Sequence, residues 1–107
     1  MKIYNLNSPN FSKKKRSNKS IKSIIIHYTG MQSERESLLR LCNPKSQVSS
    51  HFVINQNGKI YRLVQDNQIS WHAGKSCWGK HLNLNKNSIG IELVNKGHRL
   101  GYTNFKK

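Results

Sequence analysis

Residues 23–30 read SIIIHYTG, and few architectures accommodate that run. Three consecutive β-branched residues carry no helical period and are stiff at χ1, so the stretch predicts a strand over 22–28, closed by Gly30. Its apolar content is continuous, the mark of a strand covered on both faces. Alternation sets Ile25 and His27 on one face and Ile24, Ile26 and Tyr28 on the other. An imidazole therefore arrives at the end of a buried strand, where loss of water without a partner costs about 2–7 kcal/mol. Either His27 binds something or it rests in a hydrogen bond.

The segments that follow build a sheet around that strand. Ser33 followed by Glu36 has the form of a capping box, and Leu38, Leu41 and Cys42 form one apolar stripe, so a helix is expected next. It stops at Asn43, because Pro44 pushes the preceding residue out of the helical region. Residues 48–64, VSSHFVINQNGKIYRLV, hold two β-rich runs around Asn57-Gly58. Both of those positions tolerate positive φ, which predicts a tight hairpin. Phe52 and Ile54 share one of its faces, His51 and Val53 the other. Residues 65–87 are irregular and carry Trp71, His72, Trp78 and His81, a composition suited to a ligand surface. SIGIELV, residues 88–94, is the last strand, with Ile89, Ile91 and Leu93 opposite Gly90, Glu92 and Val94. The order β-α-β-β-loop-β implies a mixed α/β class, a central mixed sheet with flanking helices.

A length of 107 residues admits one domain. Residues 1–20 are polar and basic with a break at Pro9, and read as a basic N-terminal arm ahead of a domain over 21–107. The chain has 19 Lys+Arg against 4 Asp+Glu, a net charge of +15. Such a field attracts nucleic acid, anionic lipid and anionic cell-wall polymers without choosing among them. The lysines lack the aromatic interleaving of a stacking platform and no nucleic-acid motif is present, so no nucleic-acid partner is expected. No stretch approaches the roughly 18–20 apolar residues of a membrane span. The N-terminus lacks the apolar core of a secretory signal, which gives a cytoplasmic expectation. Cys42 and Cys77 have neither CxxC nor finger spacing, against a structural zinc site and a disulfide framework.

In so basic a chain the four acids stand out, and one of them, Glu92, shares a strand face with Gly90. Singly, a strand-end histidine is commonly a satisfied structural residue, and a strand glutamate simply faces water. Together, an imidazole that binds a metal and a carboxylate that takes a proton from bound water make a hydrolytic site, if neighbouring strands bring them close. Gly90 beside them leaves room for a substrate or metal.

Five ordered blocks then carry a likeness. HYTGM (27–31), VSSHFVINQNGKIYRLV (48–64), WHAG (71–74), SIGIELVN (88–95) and GHRLGY (97–102) resemble the zinc-dependent N-acetylmuramoyl-L-alanine amidases. That superfamily also includes phage lysozyme-type amidases and peptidoglycan recognition proteins. The resemblance implies hydrolysis of the amide between N-acetylmuramic acid and L-alanine in peptidoglycan or muropeptides. It makes His27 the first zinc ligand, Glu92 the general base, and Trp71, His72 and Asn95 lining residues of the substrate groove. Ser50 stands where other branches have a tyrosine that assists catalysis. Family members continue through a helix to a second histidine and an Asp or Cys that complete the zinc site, whereas this sequence stops at Lys107 and His98 matches a separate Gly-His block. The expectation is a C-terminally truncated domain with one sheet face partly uncovered, or one completed by a second chain. His51, His72 and His81 are the imidazoles on which a rebuilt metal site could draw. The alternative is a non-catalytic muropeptide-binding module whose groove uses Trp71, His72 and Trp78.

Overall fold

The computed structural model describes residues 2–30, 33–73 and 84–95. Its elements are β1 (Ile3–Asn5), β2 (Phe11–Ser12), β3 (Ser23–Tyr28), α1 (Glu34–Cys42), β4 (Phe52–Ile54), β5 (Ile60–Arg62), β6 (Ile69–Ser70) and β7 (Ser88–Leu93), with single 3-10 turns at Asn18–Ser20, Pro44–Ser46 and Leu84–Asn87. Five strands form one sheet in the order β1-β5-β4-β7-β3, and β2 pairs with β6 in a second, two-stranded sheet. The large sheet is mixed: β3–β7, β7–β4 and β5–β1 are parallel, β4–β5 antiparallel. The α/β expectation holds.

Register lines up one row across this sheet. His27 pairs with Glu92, Glu92 with Val53, and Val53 with Tyr61. Paired residues point to the same face, so this row marks the side on which α1 packs. Leu41, Val53, Tyr61, Leu63, Val64 and Val94 form the core there, with Leu38 and Cys42 of the predicted stripe against it. Fully burying such side chains contributes about 1.5–3 kcal/mol each. Ser33 caps the helix as expected, its side chain accepting from the Glu36 N–H at 3.1 Å. Glu34 in the first turn accepts hydrogen bonds from the Tyr61 hydroxyl and, at 2.7 Å, from Asn55 Nδ2, which ties the helix start to the hairpin.

Three expectations change. The hairpin is present, but only Gly58 takes positive φ, at 85°, and the Gly58 N–H closes on the Asn55 carbonyl at 2.9 Å. Gln56 and Asn57 are thus the centre of an ordinary turn followed by a left-handed glycine, in a five-residue connection that lets Asn57 keep negative φ. Strand β3 is not covered on both faces: Ile24, Ile26 and Tyr28 are 64%, 61% and 52% exposed. Alternation puts these three side chains on the face opposite His27, away from the core that α1 covers.

The third change concerns residues 1–20. The run Lys13–Lys15 is exposed, in keeping with a solvated charge run. The rest of the segment is built in: β1 adds an edge strand beside β5, and Ser8 and Asn10 are 2% and 1% exposed. Asn10 Nδ2 donates to the carbonyls of Asn43 at 2.9 Å and Val48 at 2.8 Å, and Ser8 Oγ donates to the Leu41 carbonyl at 2.5 Å. The last carbonyls of a helix have no intrahelical partner, and here the N-terminal segment supplies donors for them. Among the described residues, no helix is long and apolar enough to cross a membrane.

Candidate active site

Strands β3 and β7 bring His27 and Glu92 side by side, as register neighbours on one face of adjacent parallel strands. Neighbouring strands lie about 4.8 Å apart, so the two side chains rise from the sheet within reach of one bound molecule. Burial lifts the Glu92 carboxyl to about 7, with Arg40 on α1 pulling weakly the other way. Its Oε2 is buried and has no hydrogen-bond partner. An orphaned buried carboxylate oxygen is costly, and it is the form in which a proton acceptor or a cation partner is held ready.

His72 closes the site from above the sheet. Its Nδ1 lies 3.3 Å from His27 Nε2, and the two rings meet edge to face at 5.5 Å. The His72 backbone N–H and that of Ala73 both donate to Asn85 Oδ1, at 3.1 and 2.8 Å. Its Nε2 is 3.0 Å from Ser88 Oγ, whose own proton goes to the Leu84 carbonyl at 2.5 Å. A hydroxyl has one proton to give. The Ser88 oxygen therefore accepts from His72, which places the ring hydrogen on Nε2 and leaves Nδ1 bare toward His27. Burial and the neighbouring His27, His51 and Arg16 lower the His72 pKa to about 3, so the ring is neutral. Burial also lowers that of His27.

Gly90 is the floor beneath this ring. A Cβ there would overlap the His72 imidazole, with 2.8 Å left to Nδ1. The room that the glycine leaves is thus taken by His72 itself.

His51 has a different job. It is 0% exposed, and both ring nitrogens are engaged: Nδ1 accepts from the Gly90 N–H at 3.0 Å, and Nε2 lies 2.9 Å from the Gln68 carbonyl. Arg16 reaches the same nitrogen at 3.1 Å while donating to the carbonyls of Asp66 and Asn85, each at 3.0 Å. His51 is therefore a structural link between β4, β7 and the loop before β6, closed to a ligand.

The other expected positions fall unevenly. Trp71 is half-buried, its indole N–H donating to Ser12 at 3.0 Å, which turns it toward the small sheet. Asn95 is 1% exposed, and its carbonyl accepts from the Gly30 N–H at 3.0 Å. Ser50 is 0% exposed and donates to the Phe52 carbonyl at 2.9 Å, so it has no access to the site. Trp78, Cys77, His81 and His98 lie outside the described residues. Sequence reasoning missed the brace formed by Asn85 and Ser88. The side-chain hydrogen bonds that make it depend on how the 84–88 turn folds back, and spacing does not carry that.

The residues present fit a divalent cation only in part. The His27 imidazole and the unpartnered Glu92 carboxylate oxygen, on adjacent strands, are suitable donor types. Among the described residues, however, no group of three or more His, Cys, Asp or Glu side chains is gathered to hold a metal by itself.

Comparison with known proteins supplies the remaining observation. The profile of the family described as N-acetylmuramoyl-L-alanine amidase matches residues 17–106. The chain is similar to N-acetylmuramoyl-L-alanine amidase AmiD of Escherichia coli, 43% identical over 84 residues, which cover 72% of this chain and 29% of AmiD. It is also similar to 1,6-anhydro-N-acetylmuramyl-L-alanine amidase AmpD of Haemophilus influenzae, 30% identical, covering 82% of this chain and 56% of AmpD. Among solved structures, the complex of E. coli AmiD with the substrate anhydro-N-acetylmuramic acid-L-Ala-D-γ-Glu-L-Lys aligns with a TM-score of 0.66 and 38% identity, over 80% of this chain and 34% of that one. The chain thus spans 29% and 56% of the two curated relatives.

Proposed function

This chain belongs to the N-acetylmuramoyl-L-alanine amidase family, and we propose that a protein carrying it hydrolyses the amide between the lactyl group of N-acetylmuramic acid and L-alanine. Muropeptide is the substrate class that the relatives' names support. The single observation that carries the reading is the register of His27 beside Glu92 on neighbouring parallel strands.

In this reading His27 is a metal position, as the resemblance implies, and zinc is the ion. Bound zinc would polarise the scissile carbonyl and acidify a water. Glu92 takes the proton from the attacking water as its oxygen bonds to the carbonyl carbon. The same carboxyl returns that proton to the alanine nitrogen as the C–N bond breaks. A carboxyl lifted to about 7 suits both halves, since it is poised between proton acceptor and donor near neutral pH. His72, packed over Gly90 beside His27, limits water and offers an imidazole surface to the stem peptide. The positive charge of the chain favours the carboxylates of that peptide.

The test is release of free peptide from an N-acetylmuramoyl-L-alanyl peptide, followed by chromatography with zinc present. Glu92→Gln is expected to lower turnover by about 10²–10⁴-fold, the usual contribution of a positioned proton carrier, while ligand binding persists. Turnover within a few-fold of the parent protein would remove Glu92 from the reaction. Ligand binding by the parent with no peptide released would favour a binding module instead.

A further inference from the structure

We propose that Lys13, Lys14 and Lys15 form a docking surface, beside the candidate active site, for an anionic wall polymer whose charge is carried by phosphodiester groups. The choice of a wall polymer rests on reading the neighbouring site as one that acts on peptidoglycan-derived amides. The surface itself rests on how the run is held.

The run is fixed at both ends. On one side Ser12 pairs with Ile69 of β6, and its hydroxyl accepts from the Trp71 indole N–H at 3.0 Å. On the other, the Arg16 backbone N–H donates to the Asn67 carbonyl at 2.9 Å, and its guanidinium donates to the carbonyls of Asp66 and Asn85. Trp71 precedes His72 in the chain, and Asn85 Oδ1 accepts from the His72 backbone N–H. Both anchors are therefore residues that carry His72, which sets the three lysines at the margin of the site.

Side-chain chemistry separates the run into an inner and an outer part. Arg16, whose planar fork suits fixed geometry, is turned inward onto carbonyls. The three lysines are exposed, and among the described residues none of them makes an ion pair. The four acids of the chain lie elsewhere. Glu34 is bound to Tyr61 and Asn55, Asp66 lies 3.9 Å from Arg62, Glu36 is in the first turn of α1, and Glu92 is in β7. Lysine is a compact charge on a flexible stem, so three in succession can follow a train of phosphates without demanding one geometry. Other polyanions fit less well. Base stacking needs an aromatic platform and membrane insertion needs apolar side chains. None of the exposed large apolar or aromatic side chains falls within residues 11–20.

The experiment measures binding of the full chain to poly(glycerol phosphate) by calorimetry at two ionic strengths. The parent is compared with the triple variant Lys13→Gln, Lys14→Gln, Lys15→Gln. A charge-matched control, Lys2→Gln, Arg35→Gln, Lys59→Gln, removes as much charge around β1, β5 and the start of α1. The loop triple should weaken binding by about tenfold or more and flatten its salt dependence, and the control by less than about threefold. Backbone amide resonances of residues 13–16 in the parent should shift on adding the polymer. Equal losses in both triples would assign the effect to net charge and overturn the proposal. So would a parent that fails to bind, or amides that stay unshifted at saturation, whichever variants fold. Duplex DNA and vesicles of anionic phospholipid are run alongside, and tighter parent binding to either than to the polymer would overturn the choice of partner. Peptide release from the soluble N-acetylmuramoyl-L-alanyl peptide tests the amidase reading separately. A chain that cleaves the peptide without binding polymer loses the surface and keeps that reading; one that binds through the loop without cleaving does the reverse.

Discussion

At the scale of single residues, the site is a set of neutral imidazoles packed around one protonatable carboxyl. Burial holds His51 below its ordinary 6.5, and Arg16 and Arg62 press the same way against Gln68 and Asp66. His72 sits at about 3. An unfolded chain would protonate both near 6.5, so between that value and the folded pKa the unfolded state binds more protons. Stability from these groups is therefore complete above about pH 6.5 and is lost as the pH falls, at about 1.4 kcal/mol per pH unit for each fully titrating histidine. Glu92 acts with the opposite sign: raised from 4.5 to about 7, it favours the folded state as the pH falls through that range. His72 and Glu92 nearly offset each other on mild acidification, so the net loss comes from His51 and His27, both of which burial also lowers. Urea midpoints from about pH 6.5 to 5 should fall in metal-free buffer, and fall more steeply in Glu92→Gln. A flat profile would mean that the histidines are solvated.

At the scale of elements, the decisive contacts join segments far apart in the chain. Asn10 binds carbonyls of residues 43 and 48 and accepts from Ser49, which locks the N-terminal segment under the end of α1. Asn10→Ala takes from the Val48 carbonyl its amide donor, at about 1–3 kcal/mol for an unsatisfied group, while the Asn43 carbonyl keeps the Ser46 N–H and hydroxyl. The expected loss is about 1–3 kcal/mol in chemical denaturation. A change under about 0.5 kcal/mol would show that water replaces it. Nothing in the sequence around Asn10 announces this role, because its partners lie more than thirty residues away. Strands β3, β4, β5 and β7 and helix α1, by contrast, were legible from Ile24–Ile26, Ser33, Pro44, Gly58 and the 88–94 run. Each of those signals acts within a few residues of itself.

At the scale of the whole molecule, the sheet has one face under α1 and one in which an edge strand shows Ile24, Ile26 and Tyr28 to solvent. Contiguous apolar surface on an exposed edge strand is a place where chains associate. Ile24→Thr with Ile26→Thr keeps β-branched side chains and removes four exposed carbon atoms from that surface. The pair should change unfolding free energy by less than about 1 kcal/mol, since neither residue is in the core. Light scattering and dye binding by the native protein should drop. A loss above about 2 kcal/mol would show that these side chains are packed after all.

Periodicity, caps and turn residues were enough to determine from sequence which stretches became strands and which the helix, and alternation alone set His27, Gly90 and Glu92 facing the same way along their own strands. Those are local properties of a backbone with two soft torsions per residue. Only the tertiary structure decided that β3 lies beside β7 in the register that joins His27 to Glu92, that His72 folds over Gly90 with one bare nitrogen, and that residues 3–16 are part of the fold. Each of these depends on which distant groups satisfy one another once water is excluded, and pairing of that kind leaves no period in the chain.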